Sequence, residues 1–427
     1  MTSLSPVLKQ ATPVVVDHAF GSWIFGTDGE QYLDFTTGIG VTSTGHCHPK
    51  VVAAAREQVG KIIHAQYTTM MHKPLLELTE KLGEVLPPAL DSVFYANSGS
   101  EAVEAAIRLA RMATGRPNIV VFQGGFHGRT VAAASLTTAG TKFSAGFAPL
   151  MAGVHMSAFP HAYRYGMDEP SAVAFALREL DYLLKTRTAP EDTAAFLIEP
   201  ALGDGGYIPT PPAFMDGLRD RADRHGIKLI FDEVQAGVGR TGKFWGHQHS
   251  HAAPDILITA KGIASGFPIS AIAASTETMS KAWPGSQGGT YGGNAVSAAA
   301  GVATLQVIEE EGLVENARVR GNQMLAGLKE IQSRFPAIGN IRGIGLMAGI
   351  EFTAPDGTAD ATTAAAVQQA TVEQRLLTLT CGPEGNVVRL IPALVVTEAE
   401  IATGLERFEA AVATVLGAPA VPAAVGP

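Results

Sequence analysis

Two cysteines, Cys47 and Cys381, are all that the 427 residues hold. That excludes a disulfide framework and fits a reducing compartment. Charge is scarce as well. Only 17% of residues are Asp, Glu, Lys or Arg, against about 25% in an average soluble domain. The balance is acidic, with a net charge of −9, which argues against nucleic acid as a partner. The first residues, MTSLSPVLKQ, lack the basic start and apolar run of a secretory signal. Long apolar runs are missing too. The uncharged stretch Ala410–Pro427 is broken by Gly417, Pro419, Pro422 and Gly426, which would leave unsatisfied backbone in lipid. A frayed Ala/Pro tail is expected there rather than a membrane span. No internal repeat is visible. These absences leave a soluble, cytoplasmic α/β protein as the expected class.

What is present is apolar and rich in glycine. Apolar residues make up 46%, which excludes overall disorder. Glycine accounts for 47 of 427 residues, about 11% against a usual ~7%. An excess without a repeat means many turns or close backbone approaches. The length alone suggests roughly three domains.

Along the chain, WIF and YLDF flank Gly26–Asp28–Gly29 as a hairpin would. From about Pro49 helical patterning begins, and then short apolar runs alternate with helices. SVFYA (92–96), NIVVF (118–122), AAFLIE (194–199), KLIFDE (228–233) and DILITA (255–260) read as strands. EAVEAAIRLARMA (101–113) and AFMDGLRDRADRH (213–225) read as helices. Apolar strands alternating with helices predict a parallel sheet covered on both faces. A helical stretch from about Asn294 to Arg334 precedes a new set of strands, LMAGIEF (346–352), TLTCG and VVRLIP (387–392), which suggests a separate α+β unit.

Ligands of open parallel sheets sit at the carboxyl ends of the strands. Here those ends deliver Asn97–Ser98–Gly99–Ser100, Gln123 to Arg129, Glu199, Asp232 with Glu233, and Lys261. Ser98–Gly99–Ser100 at a helix start can cup a phosphate; the bland alternative is an ordinary N-cap with Ser100 as the cap. A second candidate cup is Gly288–Asn294. Lys261 follows an apolar strand, where desolvation lowers an amine's pKa and makes it a nucleophile; a surface lysine is the bland alternative. Asp232 lies 29 residues earlier. A Schiff-base lysine with a carboxylate for a pyridinium nitrogen is the signature of pyridoxal 5'-phosphate (PLP).

The motifs TGHCHPKVVAA (44–54), NSGSEAVEAAIRLAR (97–111), GGFHGRT (124–130), EPALGDGGYIPTP (199–211), FDEVQAGVGRTGKFW (231–245), PDILITAKGIASGFP (254–268), GGTYGGN (288–294) and CGPEGNVVRLIP (381–392) span nearly the whole chain. With them the sequence resembles the class III, fold type I PLP-dependent aminotransferases, most of all the 4-aminobutyrate aminotransferases. The resemblance implies a large domain with a mostly parallel central sheet covered by helices, plus a smaller α+β domain. Residues 1–55 would contribute to the small domain, 56–325 would form the large PLP-binding domain, 326–416 the small domain and 417–427 a flexible tail.

It also implies roles. Lys261 would bind PLP and shuttle a proton, Asp232 would hold the pyridine nitrogen, and Gln235 the phenolic oxygen. Val234 would pack behind the ring and Phe126 against its other face, with His127 beside it among the cofactor residues. Ser98, Gly99 and Ser100 would hold the phosphate. Thr290 would reach the phosphate of the neighbouring subunit, which implies a homodimer. Glu199 would sit near the substrate and Asp232, and Ile39 in the pocket wall. Arg129 would take the distal carboxylate and Arg389 the α-carboxylate of 2-oxoglutarate, because arginine pairs carboxylates in bidentate fashion. Two positions depart from the family pattern, Leu202 and Asp204. Asp204 is one methylene shorter than the glutamate that pairs with the α-carboxylate arginine, which leaves β-alanine, 5-aminovalerate or another ω-amine open as donors and pyruvate as acceptor. A PLP epimerase or decarboxylase would share the cofactor residues.

Three features read as structural. His46–Cys47–His48 has no third ligand cluster nearby, so no metal is expected. His247, His249 and His251 read as a solvated loop, and Glu309–Glu310–Glu311 as a solvated helix end.

Overall fold

The computed structural model describes residues 4–417. Its centre is a seven-stranded sheet in the order Ser92–Ala96, Ser270–Ala274, Ile256–Thr259, Lys228–Asp232, Thr193–Ile198, Asn118–Phe122, Val154–Ser157. Six of these strands run the same way, and Ser270–Ala274 runs against both of its neighbours. The sheet is therefore mixed, not purely parallel. Alanines and a serine carry little strand signal, so this strand is not visible in the sequence. Its effect is to return the chain beside Lys261 while the five ligand-bearing strand ends stay on one edge.

The five inner strands are buried almost throughout, as strands covered on both faces must be, while the edge strands Ser92–Ala96 and Val154–Ser157 are only partly buried. Helix Gly99–Thr114 lays its Ala, Val, Ile and Leu face on one side. Helices Glu169–Thr186 and Pro212–His225 cover the other side through Leu180, Leu184, Phe214 and Leu218. Ala295–Glu310 is buried on nearly every side and packs on Pro49–Val59 and Lys73–Val85.

Besides the two-stranded pair Ala201–Leu202 with Ile208–Pro209, two four-stranded sheets complete the architecture. One is antiparallel, in the order Ile338–Ile344, Met347–Phe352, Val387–Leu390, Leu379–Cys381. The other joins both ends of the chain. Val16–Phe20, Trp23–Gly26 and Gln31–Asp34 form a meander, and Leu376–Leu377 pairs in parallel with Leu33 and Asp34.

Two expectations need correction here. The helix Glu398–Leu416 runs through Ala410–Leu416, with Ala411 and Val412 fully buried, so that part of the expected frayed tail is packed structure. Residues 418–427 of the expected tail lie outside the described residues. The histidine loop is not simply solvated: His247 is buried and its ring bonds Glu233 at 2.9 Å, His249 faces Thr241, and only His251 is exposed. Among the described residues, no helix is long and apolar enough to cross a membrane.

Candidate active site

A cavity of about 290 Å³ opens at the carboxyl edge of the central sheet. It gathers Ser98, Gly99, Ser100, Phe126, His127, Glu199, Asp204, Asp232, Val234, Gln235 and Lys261. Each comes from the end of a strand or the loop that follows it.

Lys261 opens a short 3-10 turn directly after the strand Ile256–Thr259, with φ +46. A non-glycine residue in the left-handed region marks a constrained position. Burial lowers the amine's pKa, while Asp204, Asp232 and Glu199 pull it back up. Asp232 ends the next strand. His127 Nδ1 lies 2.8 Å from its Oδ2, and the Val234 N–H donates to its Oδ1 at 3.1 Å. Both side chains are almost completely buried, so the imidazole fixes the carboxylate's direction. Glu233, next in sequence, turns away and accepts from the N–H groups of Gly246 and His247.

Glu199 is buried and accepts from the N–H groups of Phe126 at 2.7 Å and Gly203 at 2.9 Å. Burial first, then the charge on Asp232, pushes its pKa up. Those two bonds tie the aromatic loop to the loop carrying Asp204. That loop lies between the paired strands Ala201–Leu202 and Ile208–Pro209.

The helix Gly99–Thr114 starts in a capping box. Ser98, not Ser100, is the cap: its Oγ accepts from the Glu101 N–H, and Glu101 reaches back to the Ser98 N–H at 2.9 Å. Ser100 Oγ instead accepts from the Arg129 N–H at 3.1 Å. The N–H groups of Gly99 and Ser100 have no intrahelical partner, which leaves them to face an anion. A Cβ on Gly99 would come within 3.2 Å of Val234, a tight approach to which the valine would have to yield by a few tenths of an ångström.

The two arginines differ. Arg389 is 5% exposed and donates from Nη1 to Asp204 Oδ1 at 2.6 Å. The aspartate does reach, despite its shorter side chain. Arg129 is exposed and lies over the ring of Phe143, 4.8 Å from its centroid. Phe143 in turn meets Phe126 edge-on at 4.9 Å.

Arg129, Thr290 and Ile39 do not line the cavity within one chain. Thr290 is exposed, and Ile39 is 45% exposed on a left-handed turn. That turn brings Val41 to the cavity wall in the place expected of Ile39. Phe143, Val41 and Tyr207 were not singled out by the sequence, since nothing local distinguishes them from core residues. His46 and His48 point to different acids, Asp34 and Glu311.

The chain matches the family model of class-III aminotransferases over residues 5–412. It belongs to the class III aminotransferases. It is 39% identical to a 5-aminovalerate aminotransferase of Pseudomonas putida, over 94% of this chain and 93% of that one. It is 38% identical to the 4-aminobutyrate aminotransferase of Escherichia coli, over 93% of each. An amine transaminase structure from an uncultivated Pseudomonas species, in its PLP-bound form, superposes with a TM-score of 0.91 at 28% identity, covering 97% of this chain and 99% of that one.

Aminotransferases of this class are PLP-dependent and have the type I fold, and this one shares both properties. The residues present fit the cofactor. Two free N–H groups at a helix start suit a phosphate. A buried carboxylate suits a protonated ring nitrogen. The Gln235 Oε1 is buried without a partner, Lys261 supplies an amine, and Phe126 and Val234 offer apolar walls.

Proposed function

We propose that this aminotransferase moves the amino group of an ω-amino acid to 2-oxoglutarate, giving a semialdehyde and glutamate. 4-Aminobutyrate is the donor we assign first, with 5-aminovalerate and β-alanine as related donors. The observation that carries this reading is the Arg389–Asp204 pair beside Lys261. A donor without an α-carboxylate leaves Arg389 with no partner from the substrate, and a buried guanidinium needs one. Asp204 supplies it. An acceptor with an α-carboxylate replaces Asp204, so one site takes both substrates in turn.

When bound, PLP supplies an electron sink conjugated to the amine-bearing carbon. The remaining work falls to the chain. Gly99 and Ser100 would direct N–H groups at the phosphate, with Ser98 capping the helix behind them. Asp232, held by His127, would keep the ring nitrogen protonated. Gln235 would offer its amide to the ring oxygen, and Phe126 and Val234 would supply the apolar walls for the ring. Lys261 would hold the cofactor through its amine, and its lowered pKa leaves more of that amine neutral to take the proton from the amine-bearing carbon. Glu199 holds the Phe126 loop to the Asp204 loop. Arg129 takes the distal carboxylate, and Thr290 acts across a homodimer interface.

Residues 1–55 and 326–416 would then form one small domain on the large domain 56–325. Support comes from the pairing of Leu33 and Asp34 with Leu376 and Leu377. The acidic, cysteine-poor composition fits the cytoplasm.

A donor panel tests the proposal. The PLP-loaded protein is assayed with 4-aminobutyrate, 5-aminovalerate and β-alanine against 2-oxoglutarate and pyruvate, following glutamate and alanine. Glutamate formation is expected; transfer to pyruvate alone, or racemisation without transfer, overturns it. Light scattering checks the dimer, which a monomeric species would refute.

A further inference from the structure

Tyr207 has none of the roles above, yet it is the most constrained residue of the loop that carries Asp204. Its φ is +54, a left-handed backbone that bulky aromatic residues rarely adopt. The loop around it holds that conformation from three directions. The Tyr207 N–H donates to the Gly203 carbonyl at 3.2 Å, the Gly382 N–H donates to the Asp204 carbonyl at 2.9 Å, and Arg342 Nε donates to the Gly206 carbonyl at 2.8 Å. The ring is 1% exposed and packs with Ala201, Ala236, Met347 and Ile391. Its hydroxyl has no hydrogen-bond partner among the described residues.

The constrained backbone delivers one thing: the ring lies against Arg389, whose guanidinium carbon is 5.6 Å from the ring centroid. Arg389 has few other holds. Nη1 bonds Asp204, and Nε is buried without a partner. When an α-carboxylate displaces Asp204, no side-chain acceptor among the described residues remains to orient the guanidinium. An aromatic face attracts a cation more strongly when both are desolvated. A planar guanidinium stacked on a ring also keeps its fork directed.

We propose that Tyr207 is a positioning residue for the acceptor, its ring face holding the Arg389 guanidinium in place while Asp204 gives way to the α-carboxylate of the 2-oxo acid. This rests on the amino-transfer function proposed above. The ring does the work, and the unpartnered hydroxyl does none. Tyr207 thus serves the acceptor half of the reaction and not the donor half, because the donor has no carboxylate for Arg389.

The test compares Tyr207→Leu, Tyr207→Met and Tyr207→Phe in the PLP-loaded enzyme, reading KM for 2-oxoglutarate against KM for the ω-amino donor. Leu and Met, which lack a π face, are expected to raise the acceptor KM about tenfold. The donor KM should move far less. Phe, which keeps the face, should restore the acceptor KM. Met fills much of the ring's volume, so it decides the matter if the Leu variant does not accumulate. Equal shifts in both KM values overturn the positioning role, as does Phe behaving like Leu. A wild-type enzyme that forms no glutamate overturns the transfer function itself, and the positioning role with it.

Discussion

In the proposed reaction Arg129 and Arg389 take opposite ends of one dicarboxylate, and the fold treats them differently. Arg129 is exposed, lies on Phe143, and forms no ion pair among the described residues. Arg389 is buried on Tyr207 and paired with Asp204. Water screens the first charge, so it stands ready at no cost to the fold. The second is removed from water. Burial works against its charge, while the Tyr207 phenol and the Asp204 carboxylate pull its pKa upward. A built-in counter-ion is therefore a requirement of burial, and it doubles as the element that an α-carboxylate can replace. Under the proposed function, a switch between substrates arises where a cation is buried, and not where it is solvated.

Four experiments sharpen or break that contrast. Lys261 serves both ends, so Lys261→Ala should abolish transfer from every donor to every acceptor, by at least about 10³-fold in kcat. Steady-state assays of glutamate formation check it, and retained turnover with any pair would break the scheme. Next comes Arg389→Met. It should lower kcat/KM for 2-oxoglutarate by about 10²–10³. It should also cost on the order of 3 kcal/mol in urea unfolding, because Asp204 is left unpaired beside apolar groups. Arg129→Ala follows, with losses of about 10- to 100-fold for donor and acceptor alike. Its stability should stay within about 0.5 kcal/mol of wild type. If Arg129→Ala destabilises as much as Arg389→Met, the contrast between the two ends fails.

The smallest effect concerns acid. His161 stands near Arg342, which holds the Gly206 carbonyl behind the Asp204 loop. Burial first, then the charge of Arg342, lowers its pKa to about 4 from an ordinary 6.5. The unfolded chain therefore takes up this proton more readily than the folded one. The contribution is fully present above about 6.5 and is lost as pH falls towards 4. His161→Gln should flatten that limb by on the order of 1–3 kcal/mol. Urea midpoints from pH 7 to pH 4 check this; a slope unchanged by the substitution counts against acid sensitivity on the buried side.

The cofactor side of the cleft was legible because its signals are local. Each apolar strand stops at a polar or charged residue, Asn97, Gln123, Glu199, Asp232 or Lys261, and parallel strands bring all such stops to one edge. Five of the seven central strands were readable for this reason. Ser270–Ala274 was not, because small residues have no strand preference until neighbours on both sides pair with them. His247 read as solvated because its buried partner, Glu233, meets it only after the chain folds back at Trp245. The cap was two positions off, at Ser98 and not Ser100, since sequence alone cannot choose between two serines flanking a glycine. The substrate side was harder. Whether Asp204 reaches Arg389 depends on how the loop 203–207 is pinned by Arg342 and Gly382, and both partners lie far along the chain. Phe143 and Tyr207 act through ring faces, for which no local motif exists.

The parallel pairing of Leu33 and Asp34 with Leu376 and Leu377 has a consequence for how the protein is made. The first three strands leave the ribosome early, but their fourth partner is among the last segments synthesised. Until it emerges, that sheet has an open edge with unpaired N–H and C=O groups, a template for wrong pairing. Loop closure over nearly the whole chain also makes the contact slow to form. The central sheet has no such delay, because its seven strands are complete by Ala274. Vectorial synthesis therefore finishes the scaffold of the cleft first and closes the terminal sheet last. A translating chain stalled before Leu376 would hold a formed central sheet and an unprotected N-terminal meander.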